Sequence, residues 1–302
     1  LKFHFDIFTK PIPRRSFLKG MLGVFAVSGA GVGQGYAGTW SSNIRLERVK
    51  ITIQNLPPAF RGFTIGLLSD LHSSPIVSKG HLQSAAELLM TAKPDMIALT
   101  GDFIGHTFHF PGEPPHGFEP EYIMNIVEAF SGLEAPHGIY GVLGNHDYWS
   151  GPEAMEMLER EFERGFGVQW LRNRNTRLER GGASIMLAGV DDYWQTTCSP
   201  GEALKDIPEE MVRILLSHNP EVNEILYPSH RVDLILSGHT HGGQIKLPFI
   251  GAPFQAGVRK RKYMEGLAWD GERQTYVTRG VGHLVVPIRL LCPPEVSLIT
   301  LV

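Results

Sequence analysis

Five short apolar runs in this 302-residue sequence each stop at a polar knot that carries Asp or His. Residues 63–68 run into Ser69-Asp70-Leu71-His72, and 96–99 into Thr100-Gly101-Asp102. Residues 139–143 end at Gly144-Asn145-His146-Asp147, 211–216 at Ser217-His218, and 232–236 at Ser237-Gly238-His239-Thr240-His241. A short continuous apolar run reads as a buried strand. In α/β sheets ligands gather beyond the carboxyl ends of the strands. Unrelated turns would carry Ser or Gly as readily, so five that all carry His or Asp point to one site assembled from distant parts of the chain.

The segments between them support an α/β protein. Residues 79–92 place Leu82, Ala85, Leu88 and Leu89 at helical spacing before Pro94, and 121–130 and 152–164 also read as helices. Further strands are expected at 45–53, 168–171, 176–179, 184–190, 275–278 and 296–301. Strand–helix alternation followed by a strand-rich second half predicts sheets with parallel and antiparallel pairing.

Asp, Asn and His together suit first-row divalent ions such as Mn, Fe or Zn. The candidates are Asp70, His72, Asp102, Asn145, His218, His239 and His241. Seven are too many for one four-coordinate zinc. They suit two ions about 3.5–4 Å apart that share a carboxylate, an arrangement that activates water and neutralises phosphoryl oxygens. The expected chemistry is hydrolysis of a phosphorus–oxygen bond.

In this order the motifs resemble those of the calcineurin-like metallophosphoesterases across residues 44–302. Residues 63–72, 238–246 and Arg279-Gly280 to Pro287-Ile288-Arg289 are most similar to the YkuE/YaeI-like branch. The resemblance implies a four-layer α/β/β/α sandwich with two mixed β-sheets. It implies one metal on Asp70, His72 and His241, another on Asn145, His218 and His239, and Asp102 bridging them. His146 would be the catalytic residue that donates a proton to the leaving oxygen, and a metal-bridging hydroxide would be the nucleophile. Many members carry an Asp where this chain has Gly105, and that Asp can orient the catalytic His; here Asp147 or His106 is the candidate substitute. The expected substrate is a phosphodiester or pyrophosphate-type compound, lipid-linked or part of the cell envelope. A phosphomonoesterase or nucleotidase on the same site is the alternative, and a non-catalytic metal-binding scaffold is a lesser one.

Residues 1–38 stand apart as an export segment. Arg14-Arg15-Ser16-Phe17-Leu18-Lys19 followed by a weakly apolar, Gly-rich run resembles a twin-arginine signal, with the export machinery as partner and an extracytoplasmic or envelope location. The formal net charge is −3, and without this basic segment the body is at −7. An acidic body argues against nucleic-acid binding.

Other features have plainer readings. His81, His137, His230 and His283 lie outside the motifs and read as surface or core histidines. Asp191-Asp192 reads as a strand cap, and Cys198 and Cys292 as two unpaired thiols or one incidental bridge. Trp149 and Tyr193-Trp194 read as packing residues, although Tyr148 and Trp149, beside His146, are candidates to line the pocket. Residues 103–120 read as a surface loop or a lid. The apolar stretch 247–254 with the basic run Arg259 to Lys262 reads as a solvated surface or a contact for anionic lipid.

Overall fold

Twelve strands carry the architecture: β1 Arg45–Ile51, β2 Thr64–Leu68, β3 Met96–Thr100, β4 Ile139–Val142, β5 Val168–Trp170, β6 Arg174–Arg180, β7 Ala183–Gly189, β8 Arg213–Leu216, β9 Leu234–Ser237, β10 Gly266–Asp270, β11 Arg273–Val277 and β12 Glu295–Leu301. The structure is a computed structural model describing residues 43–105, 118–195, 197–227, 229–253, 258–284 and 287–302. The expected export segment, His106 and most of the expected lid lie outside the described residues. Among the described residues no helix is long and apolar enough to cross a membrane.

The strands form two six-stranded mixed sheets, ordered β1-β12-β2-β3-β4-β5 and β10-β11-β9-β8-β7-β6. β2, β3, β4 and β5 run parallel, as do β7, β8 and β9 with β11. Strand periodicity explains the layering. Ile65 and Leu67 of β2, Ala98 of β3 and Val142 of β4 face the other sheet, where they meet Leu187, Ile214, Leu216, Leu234 and Leu236. Leu68, Ile97, Leu99 and Ile139 face outward against the helices Lys79–Met90, Pro120–Phe130 and Pro152–Phe166. The opposite outer layer is thin. A one-turn helix, Pro200–Ala203, and the 3-10 turn Pro220–Glu224 cover Ala188, Leu215 and Ile235. This is the α/β sandwich expected from the sequence.

Three details differ from the sequence reading. Gly144 to Asp147 is not a plain turn but opens a short helix, Asn145–Trp149. β10 was not foreseen, because this edge strand buries only Ala268. The loop after β3 starts later than expected. Phe103 and Ile104 are buried in the core, with Phe103 edge-on to Phe162 and Trp170. Truncating an aromatic enclosed in this way costs about 3–5 kcal/mol.

Candidate metal centre

The carboxyl ends of β2, β3, β4, β8 and β9 open on one rim, and all eight candidate residues meet there. The backbone is bent to achieve this. Asp70, His72, Asp102, His239 and His241 all adopt left-handed φ, between 46° and 73°. Non-glycine residues rarely occupy this region, and holding one there costs on the order of 1–3 kcal/mol. Five together at strand ends mark a place where side-chain direction has outweighed backbone comfort.

The side chains form overlapping groups. Asp70, His72 and His241 form one set with ligand atoms in metal-binding proximity, and Asp102, His218 and His239 form another. His72 Nε2 lies 2.9 Å from His241 Nε2, and His241 Nε2 lies 3.5 Å from Asp70 Oδ1. In the second set His218 Nε2 is 3.1 Å from His239 Nδ1 and 3.2 Å from Asn145 Oδ1. Asp102 stands between the two, its Oδ2 3.2 Å from His218 Nε2 and 3.6 Å from His72 Nε2. Imidazole nitrogens facing one another at such distances, with carboxylate oxygens between them, form a donor set that divalent cations satisfy.

Glycines make the crowding feasible. A Cβ on Gly144 would lie 2.3 Å from Asp102 Oδ1, and one on Gly238 would lie 2.2 Å from Asp70 Oδ2. Neither position has room for a side chain.

Charge within the cluster is uneven. Burial pushes the Asp70 carboxyl up, against the pull of His218. Asp102 feels the same burial, but His218, His146 and His72 outweigh it and hold its carboxyl well below the usual range. Burial acts to lower His218, and Asp102 overturns this and raises it. Burial lowers His241, with His72 and Arg289 reinforcing the shift. The central carboxyl is thereby held in its ionised form, the form in which a carboxylate ligates a metal.

His146 sits on the rim. Its backbone N–H donates to Asp102 Oδ1 at 2.8 Å, and its ring lies edge-on to His72, 4.7 Å between centroids. Its ring also joins His72 and Asp102 as a third group able to hold a metal, so proximity alone does not set it apart from the ligands. Asp147 does not orient this ring, contrary to one expectation. Its Oδ2 accepts from the N–H groups of Asp102 and Gly144, and its Oδ1 from those of Phe103 and Ile104. It clamps the loop after β3 to the start of the short helix. Gly105 also has a reason to be glycine here: a Cβ would lie 2.7 Å from the His72 carbonyl oxygen.

Residues 63–243, well over half of the chain, match the family model described as calcineurin-like phosphoesterase.

The chain belongs to the calcineurin-like phosphoesterases.

Its similarity to two individual family members spans nearly the whole sequence. It is 31% identical to the uncharacterised metallophosphoesterase YkuE of Bacillus subtilis (strain 168), covering 97% of this chain and 98% of that protein. It is 33% identical to phosphodiesterase YaeI of Escherichia coli (strain K12), covering 96% of this chain and all of that one. As a calcineurin-like phosphoesterase the protein is a phosphoric ester hydrolase with Asp and His groups arranged to bind metal ions.

Residues outside the motifs fall as follows. His81 Nε2 pairs with the Val281 carbonyl oxygen, and His137 lies edge-on to Phe63. His230 Nδ1 accepts from Tyr227 N–H, and His283 is packed against His81. Asp192 accepts the N–H of Trp194, and Asp191 pairs with Arg172; neither joins a metal-holding group. Both cysteines are free. In the basic run, Lys260 pairs with Glu224 and Lys262 with Asp270, while Phe249 and Ile250 are exposed nearby in sequence.

One feature escaped the sequence reading. Arg289, noted only as part of a branch motif, is a buried guanidinium touching the metal-holding cluster. Of the two readings given for Trp149, packing residue or pocket lining, its 52% exposure and its stacking on Trp194 speak against the first.

Proposed function

We propose that the protein hydrolyses a phosphodiester or pyrophosphate-type bond at a two-ion centre. Asp70, His72 and His241 would hold one ion, Asn145, His218 and His239 the other, and Asp102 would join both. The position of Asp102 between the two sets supports the count of two. When bound, the cations would supply Lewis acidity toward phosphoryl oxygen and water.

The observation that carries the reading is His146. Its imidazole is held at the rim by its own backbone N–H on Asp102 and by the ring of His72. From there it can hold a proton facing a bound phosphate and pass it to the leaving oxygen, the general-acid task. The buried ligands have no such freedom. The name phosphodiesterase carried by a relative 33% identical over its full length favours a diester over a monoester. A scaffold reading is disfavoured by the presence of His146 beside a complete donor set.

Twin-arginine export and an envelope substrate remain part of this proposal, supported by the segment Arg14 to Lys19 alone. Contact with anionic lipid has weaker support, because two lysines of the basic run already have carboxylate partners.

The test is turnover by the metal-stripped protein supplied in turn with Mn²⁺, Fe²⁺ and Zn²⁺, on bis(4-nitrophenyl) phosphate and on 4-nitrophenyl phosphate. Metal-restored turnover with a diester preference is expected. A strong monoester preference would replace the diester reading with the phosphatase one. A folded protein that binds metal and turns over neither compound would overturn catalysis at this site.

A further inference from the structure

Beside the metal centre lies an apolar feature that metal chemistry does not require. Trp149 and Trp194 stack with ring centroids 6.1 Å apart and planes within 20° of parallel. The first indole lies 4.7 Å from the ring of His146, three residues before it on the short helix Asn145–Trp149. The second lies 4.7 Å from the ring of His239. The pair thus flanks the centre on the side of the proton donor. With Trp149 52% exposed, much of this aromatic surface faces water. Large exposed apolar groups at the edge of a polar cleft mark ligand-binding surface.

The pair is also braced. Arg172 Nη2 donates to the hydroxyl of Tyr148, the neighbour of Trp149, at 3.2 Å. Arg172 Nε donates to Asp191, three residues before Trp194, at 3.0 Å. One guanidinium therefore ties the helix bearing the first indole to the loop bearing the second. The Trp194 backbone N–H is fixed in turn on Asp192 Oδ1 at 2.9 Å. An exposed indole and a half-buried one, held in mutual register through a shared strut, are a built surface.

We propose that Trp149 and Trp194 form a platform for a flat ring of nucleobase size carried by the leaving group of the substrate. This rests on the functional reading above, since the leaving side is defined by His146. Near-parallel indole faces offer stacking to a planar ring, a contact open to any base because every base has a π-face. For a pyrophosphate-type bond the leaving group is a nucleoside monophosphate. Water adds to the distal phosphorus and releases one proton to solvent, the bridging P–O bond breaks, and the bridging oxygen takes its proton from His146, which solvent then reprotonates. The ring on the departing half then rests against Trp149. An acyl chain would call for a groove rather than two flat faces.

Adenosine 5′-monophosphate and ribose 5-phosphate share the phosphate and differ in the ring, so they are the probes, with octyl phosphate as the chain-bearing control. Each is titrated as an inhibitor of bis(4-nitrophenyl) phosphate turnover by the metal-loaded protein, and independently by quenching of indole fluorescence. The wild type is expected to bind the adenosine compound more tightly than ribose 5-phosphate by roughly 5-fold to 150-fold, the size of a base–aromatic stack. Trp149→Leu and Trp194→Leu should each lose most of that ratio, and Trp149→Phe, which keeps a ring, should retain part of it. Arg172→Met should reduce the ratio while both indoles remain.

Equal binding of the two sugar phosphates by the wild type would overturn the platform. So would Leu variants that lower Tm but keep the ratio, as residues that merely pack would do. Preference for octyl phosphate would replace the flat ring by a chain. Absence of diester turnover with ring-selective quenching intact would count against the hydrolytic reading and leave the platform standing.

Discussion

The guanidinium of Arg289 donates to Nδ1 of His241 at 3.1 Å, on the side of the imidazole turned away from the metal-holding cluster. Arg289 is 1% exposed and also donates to the carbonyls of Gly282 and Arg279. Burial lowers it to about 10, which still leaves it charged at neutral pH. It is thus a positioning residue that fixes His241 relative to the strand-end loops. Arg289→Met would leave two carbonyls without donors and the imidazole without its brace. Because a guanidinium only donates, His241 in this contact carries its own proton on Nε2, which has to leave before that nitrogen can hold a cation. Each buried acceptor left without a donor costs about 1–3 kcal/mol, so thermal unfolding of the metal-free Arg289→Met protein should show a lowered Tm, and Arg289→Lys should recover only part of it because a point charge lacks the fork. A folded Met variant with an unchanged Tm would refute this role.

Asp147 is a clamp of four backbone hydrogen bonds. Asp147→Asn puts an NH₂ group against N–H donors that now have an acceptor. With buried donors left unsatisfied, the expected loss is about 3 kcal/mol, or roughly 6–12 °C in Tm for a domain of this size. Calorimetry on the metal-free protein separates this from any effect on the ions. A shift under 2 °C would mean that the clamp adds little.

His146→Gln should keep the metals and lose the chemistry. General acid catalysis contributes about 10²- to 10⁴-fold, so kcat should fall within that range while bound metal per chain is unchanged. If metal is lost together with turnover, His146 belongs among the ligands, as its proximity to His72 and Asp102 would permit.

Acid should destabilise the protein through His283. Burial lowers this imidazole from its ordinary 6.5 to about 4, and Arg289 and His81 add to the shift. The unfolded chain takes up the proton first, so stability is unaffected above pH 6.5, declines as pH falls below it, and the loss is complete below about 4. Burial also lowers His81, which widens the effect. Urea midpoints measured from pH 7.5 to 4 should flatten in a His283→Phe variant, and an unchanged slope would place the acid sensitivity elsewhere.

How much of this was legible beforehand follows from what each residue has to do. Strands buried on both faces must be continuously apolar, so the five runs and the polar residues at their ends stood out. The five-residue helix Asn145–Trp149 is too short to show a helical period, and its GNHD start reads as a turn. Arg289 was obscured for another reason: a lysine or arginine in a sequence reads as surface, and only its carbonyl and imidazole partners allow it inside. Trp149 left two readings open, since an indole usually reads as core but this one stands beside His146.

By itself the sequence determined which residue types reach the strand ends, and hence that oxygen and imidazole donors would meet at the rim of an α/β sheet. Only the tertiary structure decided how they are shared. His72 and His241 are 169 positions apart, follow strands of different sheets, and place their Nε2 atoms 2.9 Å from one another. Nothing local specifies that approach. It comes from the apolar layer between the sheets, which sets β2 against β9, and from left-handed backbone turns that only the surrounding packing can hold.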